Sequence, residues 1–450
     1  MSKLSQSIAT EDSQSLRTFL AGLSPEEILH LKVRRSDFLM SALVQELEDR
    51  KEFPVVELTD PDTGSVCVAN VFAERGRLRS AIHHITDVEQ ASADFSSFAE
   101  VQDAPVQACA ATGEEVDVLS LPIFRHFAED AGRYITSGIV LAKDPDTGRY
   151  NMSFHRMQLK EKNRIGISLH SRGDLYRYFE KAKAAGRDLE IAVIIGAHPA
   201  YYITGASKIP ESMDDYSWAG AYMDEVPQVV HARTVDLMVP AQAEYCLEGK
   251  ILADTFEDEG PFGEYTGYST SRSTRNVFEV TAVTHRKDAI YHDLVPGFAW
   301  EHLLLSQFTK EIILLDKLKK EVPEVRALSM PKNGCHFHAY VSMKPRARGQ
   351  AKQVAMLLFG LDLYLKMIVV VNDDVDVFNE EEVLWAMATH VQADRDVFIV
   401  PQVLCNRLDP SSVDGMSAKM GIDATGSGEE EAKRVFLPEE VKREAERLLS

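Results

Sequence analysis

Two glutamates five residues apart, in a segment whose backbone path is fixed by glycine and proline, are the residues of this sequence best suited to proton chemistry. The segment reads Asp258-Glu259-Gly260-Pro261-Phe262-Gly263-Glu264-Tyr265-Thr266-Gly267-Tyr268. Held at one cleft, Glu259 and Glu264 would feel each other's charge or lose solvent, and either effect lifts one carboxyl into the range of a general acid. A solvated turn between strands is the plainer reading of the same residues. Upstream, Asn151-Met152-Ser153-Phe154-His155-Arg156 places polar groups on a half-buried strand. Alternation sends Asn151, Ser153 and His155 to one face, and Arg156 to the other with Met152 and Phe154. An inward arginine is costly without an anion. Arg156 therefore clamps a substrate carboxylate or pairs with Glu259 or Glu264, unless it forms an ordinary surface ion pair.

A second group could serve a metal. His170 ends the next strand and Asp214-Asp215 follows a Pro-Glu-Ser-Met turn. With Asn151 they offer nitrogen, carboxylate and amide oxygen, a set suited to Mg²⁺ or Mn²⁺, although the spacing is too wide to form a motif. Cys335-His336-Phe337-His338 resembles a metal fragment but has no second ligand pair nearby and reads as structural. Lys419-Met420-Gly421-Ile422-Asp423-Ala424-Thr425-Gly426 reads as a loop able to contact phosphate. No Walker A sequence and no suitably placed GxGxxG supports ATP or NAD binding.

These residues need a scaffold, and the patterning divides the chain in three. Residues 1–112 read as an α/β domain. Ser24-Pro25-Glu26-Glu27 is a capping box opening a helix, a second helical pattern runs Asp37–Leu47, and strands follow at 55–58 and 66–72. The polar stretch Ala91–Ala111 reads as the linker. Residues 113–302 read as β-rich, a barrel or sandwich. A meander runs 134–143, 149–159 and 164–170, a helix 172–185 interrupts it, and strands return at 189–196, 235–240 and 277–285. Residues 303–450 alternate helix (303–321, 350–361, 380–390) with strand (336–343, 368–371, 397–400). That pattern predicts an α/β domain with a largely parallel sheet and an amphipathic terminal helix over 438–449.

Composition narrows the function. The 450 residues are 45% hydrophobic and 26% charged, the range of soluble globular proteins. The formal charge of −21, from 70 acidic and 49 basic residues, disfavours a nucleic-acid partner. Five scattered cysteines without a CxxC pair fit reduced thiols. Met1-Ser2-Lys3-Leu4-Ser5-Gln6 has no signal-type apolar core and no later stretch suits a membrane span, so the expectation is a cytoplasmic protein with no membrane partner.

Taken together, the residues from about Asn151 to Thr425 resemble the UbiD-type decarboxylases, with Glu-Gly-Pro-Phe-Gly-Glu at 259–264 as the strongest marker. The resemblance implies an N-terminal α/β domain, a central flavin-reductase-like split β-barrel and a C-terminal α/β domain that builds a homodimer or a larger dimer-based oligomer. It implies prenylated FMN as cofactor, supplied by a flavin prenyltransferase, with Mn²⁺ (or Mg²⁺) and K⁺ joining its phosphate to the protein. Arg156, Glu259 and Glu264 are similar to the family's Glu-Arg-Glu network. Asn151 and His170 resemble its metal ligands, and the third, usually a glutamate, falls on Asp215 or its neighbour Asp214. Ser153, Phe154, Leu169 and Lys419 fall where the family holds the cofactor.

The implied reaction is reversible, non-oxidative decarboxylation of an aromatic, heteroaromatic or α,β-unsaturated carboxylic acid through a covalent adduct with the cofactor. Arg156 would orient the carboxylate, Glu264 would return the proton and Glu259 would position Arg156. Tyr265, Trp300 and His302 flank the glutamate loop and are the expected pocket residues. Three rival readings remain: a flavin-dependent oxidoreductase on the same scaffold, a non-catalytic cofactor-assembly subunit, and a metal-dependent hydrolase using Asn151, His170 and Asp215.

Overall fold

The structure, a computed structural model, describes residues 13–96, 98–170, 173–426, 435 and 437–449. Met1–Gln6 and Arg172, the expected start of a helix, lie outside the described residues. The chain forms two compact units. One runs up to Ile313 and includes Leu408–Pro410; the other comprises Leu314–Arg407 and the chain from Ser411.

In the first unit, a nine-stranded sheet carries Asn151, Ser153 and Phe154 and brings Arg156 to the end of one of its strands. Its order is Tyr134–Ile135, Met157–Glu161, Arg164–Ile167, Asn276–His285, Tyr245–Phe256, Leu189–Ile195, Ile139–Lys143 and Tyr150–Phe154, with Cys109–Thr112 added on Asn276–His285. Every pairing in it is antiparallel. Leu189–Ile195 is buried on both faces: Ile191, Val193 and Ile195 enter one core, and Ala192 and Ile194 the other. That explains why it reads as a continuous apolar run instead of an alternating one.

The strand order forces this sheet to curl. Ile135 and Ile139 are four residues apart, yet their strands stand six places apart in the order. Six steps across a flat sheet span roughly 29 Å, whereas four residues reach at most about 14 Å. The same holds between Phe154 and Met157. The two ends of the sheet therefore approach each other, and His155 and Arg156 lie in the seam. Each of the expected continuous strands 134–143 and 149–159 is accordingly broken in two, because one stretch of chain serves both ends.

A second sheet, in the order Ile28–Lys32, Val55–Thr59, Val66–Ala69, Ile290–His292, mixes parallel and antiparallel pairs. The capping box at Ser24–Glu27 forms, with Glu27 Oε2 accepting from Ser24 N at 2.9 Å, but it opens a single 3₁₀ turn and not a helix. Pairing with Val55–Thr59 claims Ile28–Lys32 as a strand. Nor is Ala91–Ala111 a linker. Ala99–Glu100 pairs with Gln228–His231, and Cys109–Thr112 pairs with Asn276–His285.

The second unit is a five-stranded sheet in the order Val325–Ser329, His338–Met343, Met367–Asn372, Met416–Ala424, Val397–Leu404. Its three middle strands are parallel and its edges antiparallel. Helices Gln350–Leu361 and Glu380–His390 match their expected limits. Lys419–Ala424, expected as a loop, is strand, because its backbone is claimed on both sides by Met367–Asn372 and Val397–Leu404.

Candidate active site

Arg156 leaves the strand pattern at the seam, where its carbonyl accepts from Ser168 N at 3.4 Å. Its side chain reaches the glutamate loop. Nε and Nη2 donate to Glu259 Oε1 and Oε2, each at 3.0 Å, and Nη1 donates to Glu264 Oε1. Nη2 also donates to the Arg272 carbonyl at 2.7 Å, and the guanidinium stands 5.2 Å from the centre of the Phe262 ring. Four of the five guanidinium N–H groups are thus engaged, with the two-pronged fit that a guanidinium makes to a carboxylate.

The two carboxylates are not equivalent. The Glu259 side chain is 0% exposed and takes the two-pronged contact; Glu264 is 14% exposed and holds one prong. Burial pushes the Glu264 carboxyl above its ordinary value, against the pull of Arg156, and the nearby Glu259 charge adds to the rise. Burial works against the Arg156 cation, but the two glutamates outweigh it and hold its pKa above the usual value. The cluster therefore sets one guanidinium between two carboxyl groups of unequal burial, and the proton affinity of Glu264 is raised.

Local sequence explains how the loop presents both groups. Phe262–Gly263 pairs with Ser269–Thr270 as a short hairpin, Gly267 N donates to the Glu264 carbonyl at 2.9 Å, and Gly267 occupies φ 78°, which favours glycine. Gly166 leaves room for Glu259, whose Cγ lies 3.3 Å from where a Cβ would stand. Three further residues hold the loop without any local signal in the sequence. Asp130 is 1% exposed; its Oδ1 accepts from Gly263 N and its Oδ2 from Phe127 N, both at 2.9 Å. The Phe127 ring fills the space that a side chain at Gly263 or Gly297 would occupy. Tyr134, fully buried, donates to the Pro261 carbonyl at 3.3 Å. Replacing Asp130 with Ala leaves two amides short of an acceptor, so denaturant unfolding should show a loss of about 1–3 kcal/mol; an unchanged midpoint would mean that the carboxylate does not anchor the loop.

The expected metal residues gather behind the sheet's end strand. Tyr150–Phe154 has one open side, and its outward amides are claimed by the aspartates: Tyr150 N donates to Asp214 Oδ2 at 2.8 Å and Met152 N to Asp215 Oδ2 at 2.7 Å. Asp214 also caps its helix through Tyr216 N at 2.9 Å, which occupies both its oxygens. Asp215 instead lies 3.4 Å from Asn151 Nδ2, and burial raises its proton affinity well above the ordinary value. His155 donates from Nδ1 to the Ser168 carbonyl at 3.1 Å, and burial lowers its pKa to about 4, so Nε2 is an acceptor at neutral pH. Ser153 lies within reach of that Nε2 at 3.1 Å and of Asn151 Oδ1 at 3.0 Å. When its single proton goes to His155, the Asn151 oxygen keeps its lone pairs for a cation. His170 is exposed and acts electrostatically on His155. Among the described residues no three His, Cys, Asp or Glu side chains converge.

The remaining expected residues are placed as follows. Phe154 packs against Tyr202, ring centres 5.9 Å apart, and Leu169 N donates to Thr274 Oγ1 at 2.7 Å. Tyr265 is buried beside Glu264. Trp300 begins the helix Trp300–Glu321 and lies 5.7 Å from the Arg75 guanidinium, while His302 Nδ1 donates to the Gly297 carbonyl at 3.0 Å. Lys419 belongs to the second unit. It is 1% exposed, donates to the Asp362 and Leu363 carbonyls at 3.3 Å, and lies 5.5 Å from the Phe359 ring centre.

Comparison with known proteins bears on this arrangement. Residues 99–299 match the 3-octaprenyl-4-hydroxybenzoate carboxy-lyase Rift-related domain of UbiD, and residues 303–424 match the corresponding C-terminal domain. The chain is 39% identical over 311 residues to an anhydromevalonate phosphate decarboxylase of Methanothermobacter thermautotrophicus, covering 69% of this chain and 73% of that protein. It is similar to the UbiD-class enzyme HmfF from Pelotomaculum thermopropionicum in complex with FMN, at 37% identity, TM-score 0.88, and 95% and 98% coverage. An evolved dimeric form of HmfF in complex with prFMN aligns at 34% identity, TM-score 0.84, with the same coverage. The vanillic acid decarboxylase of Sedimentibacter hydroxybenzoicus aligns at 27% identity, TM-score 0.80, and 98% and 100% coverage. With both domains matched in order and these relatives aligned along most of its length, the chain belongs to the UbiD family and is a carboxy-lyase.

Proposed function

We propose that the protein catalyses reversible, non-oxidative decarboxylation of an aromatic, heteroaromatic or α,β-unsaturated carboxylic acid, with prenylated FMN as its cofactor. The observation that carries this reading is the joint hold of Glu259 and Glu264 on Arg156 at the seam of the curled sheet. The relatives are named for different acids, vanillic acid and anhydromevalonate phosphate, so the substrate class stays broad.

In this reading 113–302 is the cofactor-holding part, its curled sheet the split β-barrel of the family, with 1–112 before it and 303–450 as the oligomerisation part. Asn151 and Asp215 suit a divalent cation, since a desolvated carboxylate gains from positive charge and the Asn151 side chain next to it carries an amide oxygen that can bind a cation. His170 would complete the set, with Mn²⁺ or Mg²⁺ as the ion and K⁺ beside it, and Ser153, Phe154 and Leu169 would contact the cofactor, whereas Lys419 is engaged by the Asp362 and Leu363 carbonyls within the second unit. When bound, prenylated FMN supplies the electron sink that lets a carboxylate leave as CO₂. Arg156 orients that carboxylate, Glu259 keeps Arg156 in place, and Glu264 delivers a proton to the carbon that lost CO₂. Tyr265 and His302 line the substrate side, with Trp300 near it. Ile399 and Leu404 on the edge strand Val397–Leu404 are 63% and 52% exposed, which supports a homodimer through the second unit. Among the described residues no helix is long and apolar enough to cross a membrane, and we assign the enzyme to the cytoplasm.

Co-expression with a flavin prenyltransferase, followed by a visible spectrum and a screen of acids for CO₂ release, tests the reading. CO₂ release is expected only from the co-expressed preparation. Equal release from protein carrying ordinary FMN would remove the proposed mechanism.

A further inference from the structure

Glu264 and His302 are carried by different segments. Glu264 belongs to the hairpin in which Phe262–Gly263 pairs with Ser269–Thr270, and His302 is tied to the turn at Gly297, whose carbonyl accepts from its Nδ1. One ring lies between hairpin and turn. Phe127 Cδ2 is 2.7 Å from where a Cβ on Gly263 would stand, Cζ is 2.9 Å from where one on Gly297 would stand, and Cε2 is close to both, at 3.1 and 3.0 Å. The ring therefore rests directly on backbone at both places, its root towards the hairpin and its tip towards the turn. The chain that carries it is held on either side. Phe127 N donates to Asp130 Oδ2, and the other oxygen of that carboxylate accepts from Gly263 N, both at 2.9 Å. His126, one residue earlier, meets Asp293 through Nε2 at 3.1 Å, both side chains being fully buried, and Asp293 follows the strand Ile290–His292 on the way to Gly297. A ring fixed at its root in this way sets a distance.

We propose that Phe127 is a positioning residue whose ring spaces the Glu264 hairpin from the Gly297–His302 turn, and so sets the size of the acid that fits between the proton donor and the substrate side. The inference rests on the decarboxylase reading for its effect on substrate choice but not for the spacing. Gly263 directly precedes Glu264, and the place of a Cβ on Gly297 lies 3.9 Å from the Glu264 carbonyl oxygen, so a change at the ring reaches the donor through a single peptide link. On the other side, the bond from His302 Nδ1 to the Gly297 carbonyl makes the imidazole follow the turn. Packed interiors transmit a volume change of this kind instead of absorbing it. Gly297 occupies φ 73°, which favours glycine whatever the space beside it, so Gly263 is the better position at which to alter the contact.

Two substitutions should move the gap in opposite directions. Phe127→Leu shortens the spacer but keeps the bonds from its backbone N and from His126. Its crystal structure should show a smaller Gly263–Gly297 Cα separation. In the loaded enzyme, kcat/KM is compared for the acid that the wild type decarboxylates fastest and for the same acid with one added methyl group. The ratio of the larger acid to the smaller should fall about tenfold in Phe127→Leu. Gly263→Ala sets a Cβ 2.7 Å from the ring, so ring and hairpin must part, and both the separation and the ratio should rise. The double variant should return both towards the wild type, a coupling that two independent losses of stability do not produce. An unchanged separation in both single variants would overturn the spacer, whatever the activity. A changed separation with an unmoved ratio would overturn its role in substrate choice, and a ratio that rises in Phe127→Leu would make the ring a wall of the pocket instead. If the wild type releases no CO₂ from any acid while the separation moves as expected, the decarboxylase reading fails and the spacer stands.

Discussion

Glu264→Gln is expected to keep the fold and the bound cofactor while CO₂ release drops by a factor of about 10²–10⁴, the usual contribution of a positioned general acid. The amide has nearly the same shape and can still accept from Arg156 Nη1 through its oxygen, so the Glu259–Arg156 contact has no reason to move. What it lacks is a proton to give. The wild type should also lose turnover as pH rises through the elevated value of Glu264, because only the protonated form can donate. The variant's residual rate should lack that limb. Undiminished CO₂ release from Glu264→Gln, with cofactor absorbance equal to the wild type, would reject Glu264 as the proton source.

The second large effect is expected at Arg156, and it should appear in stability as well as rate. Arg156→Leu leaves a fully buried carboxylate and a largely buried one facing each other without their shared cation. Removing one partner from a buried ion pair costs about 3–5 kcal/mol, and turnover should fall below detection because nothing remains to orient the substrate carboxylate. The deficit should narrow as pH falls. Carboxylates stripped of the guanidinium take up protons more readily in the folded chain than in the unfolded one, so acid favours the folded variant. Arg156→Lys keeps the charge but not the fork, and should lie between the two. Denaturant titrations of the three proteins at several pH values check this, and a Leu variant as stable as the wild type at neutral pH would show that the ion pair does not hold the loop.

Much of the site was legible because its parts are carried by short segments. Glu259 and Glu264 share one glycine-rich loop, and Asn151 through Arg156 share one strand and its end. Alternation correctly puts Asn151, Ser153 and His155 on one side, where they form a hydrogen-bonded row. It could not place Arg156, because the strand breaks at the seam and side-chain direction no longer follows a period of two. Asp130, Phe127 and Tyr134 escaped notice for a different reason. Their partners in the glutamate loop lie more than a hundred residues away, and nothing near them in sequence marks those contacts. The choice between Asp214 and Asp215 likewise depends on which amides of an edge strand need acceptors, which only the strand order reveals. The one-turn capping box shows local preference yielding to sheet pairing, since Ile28–Lys32 gains a whole row of hydrogen bonds from Val55–Thr59. Helices Gln350–Leu361 and Glu380–His390, by contrast, declare their own ends through glycine and asparagine at Gly349 and Asn379.

The short link from Phe154 to Met157 behaves like a taut stitch drawing two hems together. Arg156 sits on that stitch, so there is no slack through which its backbone could drift or a longer loop could grow. In the proposed reaction, adaptation to a new acid then falls to the residues we assign to the substrate side, Tyr265, His302 and Trp300, while the arginine stays where the thread holds it.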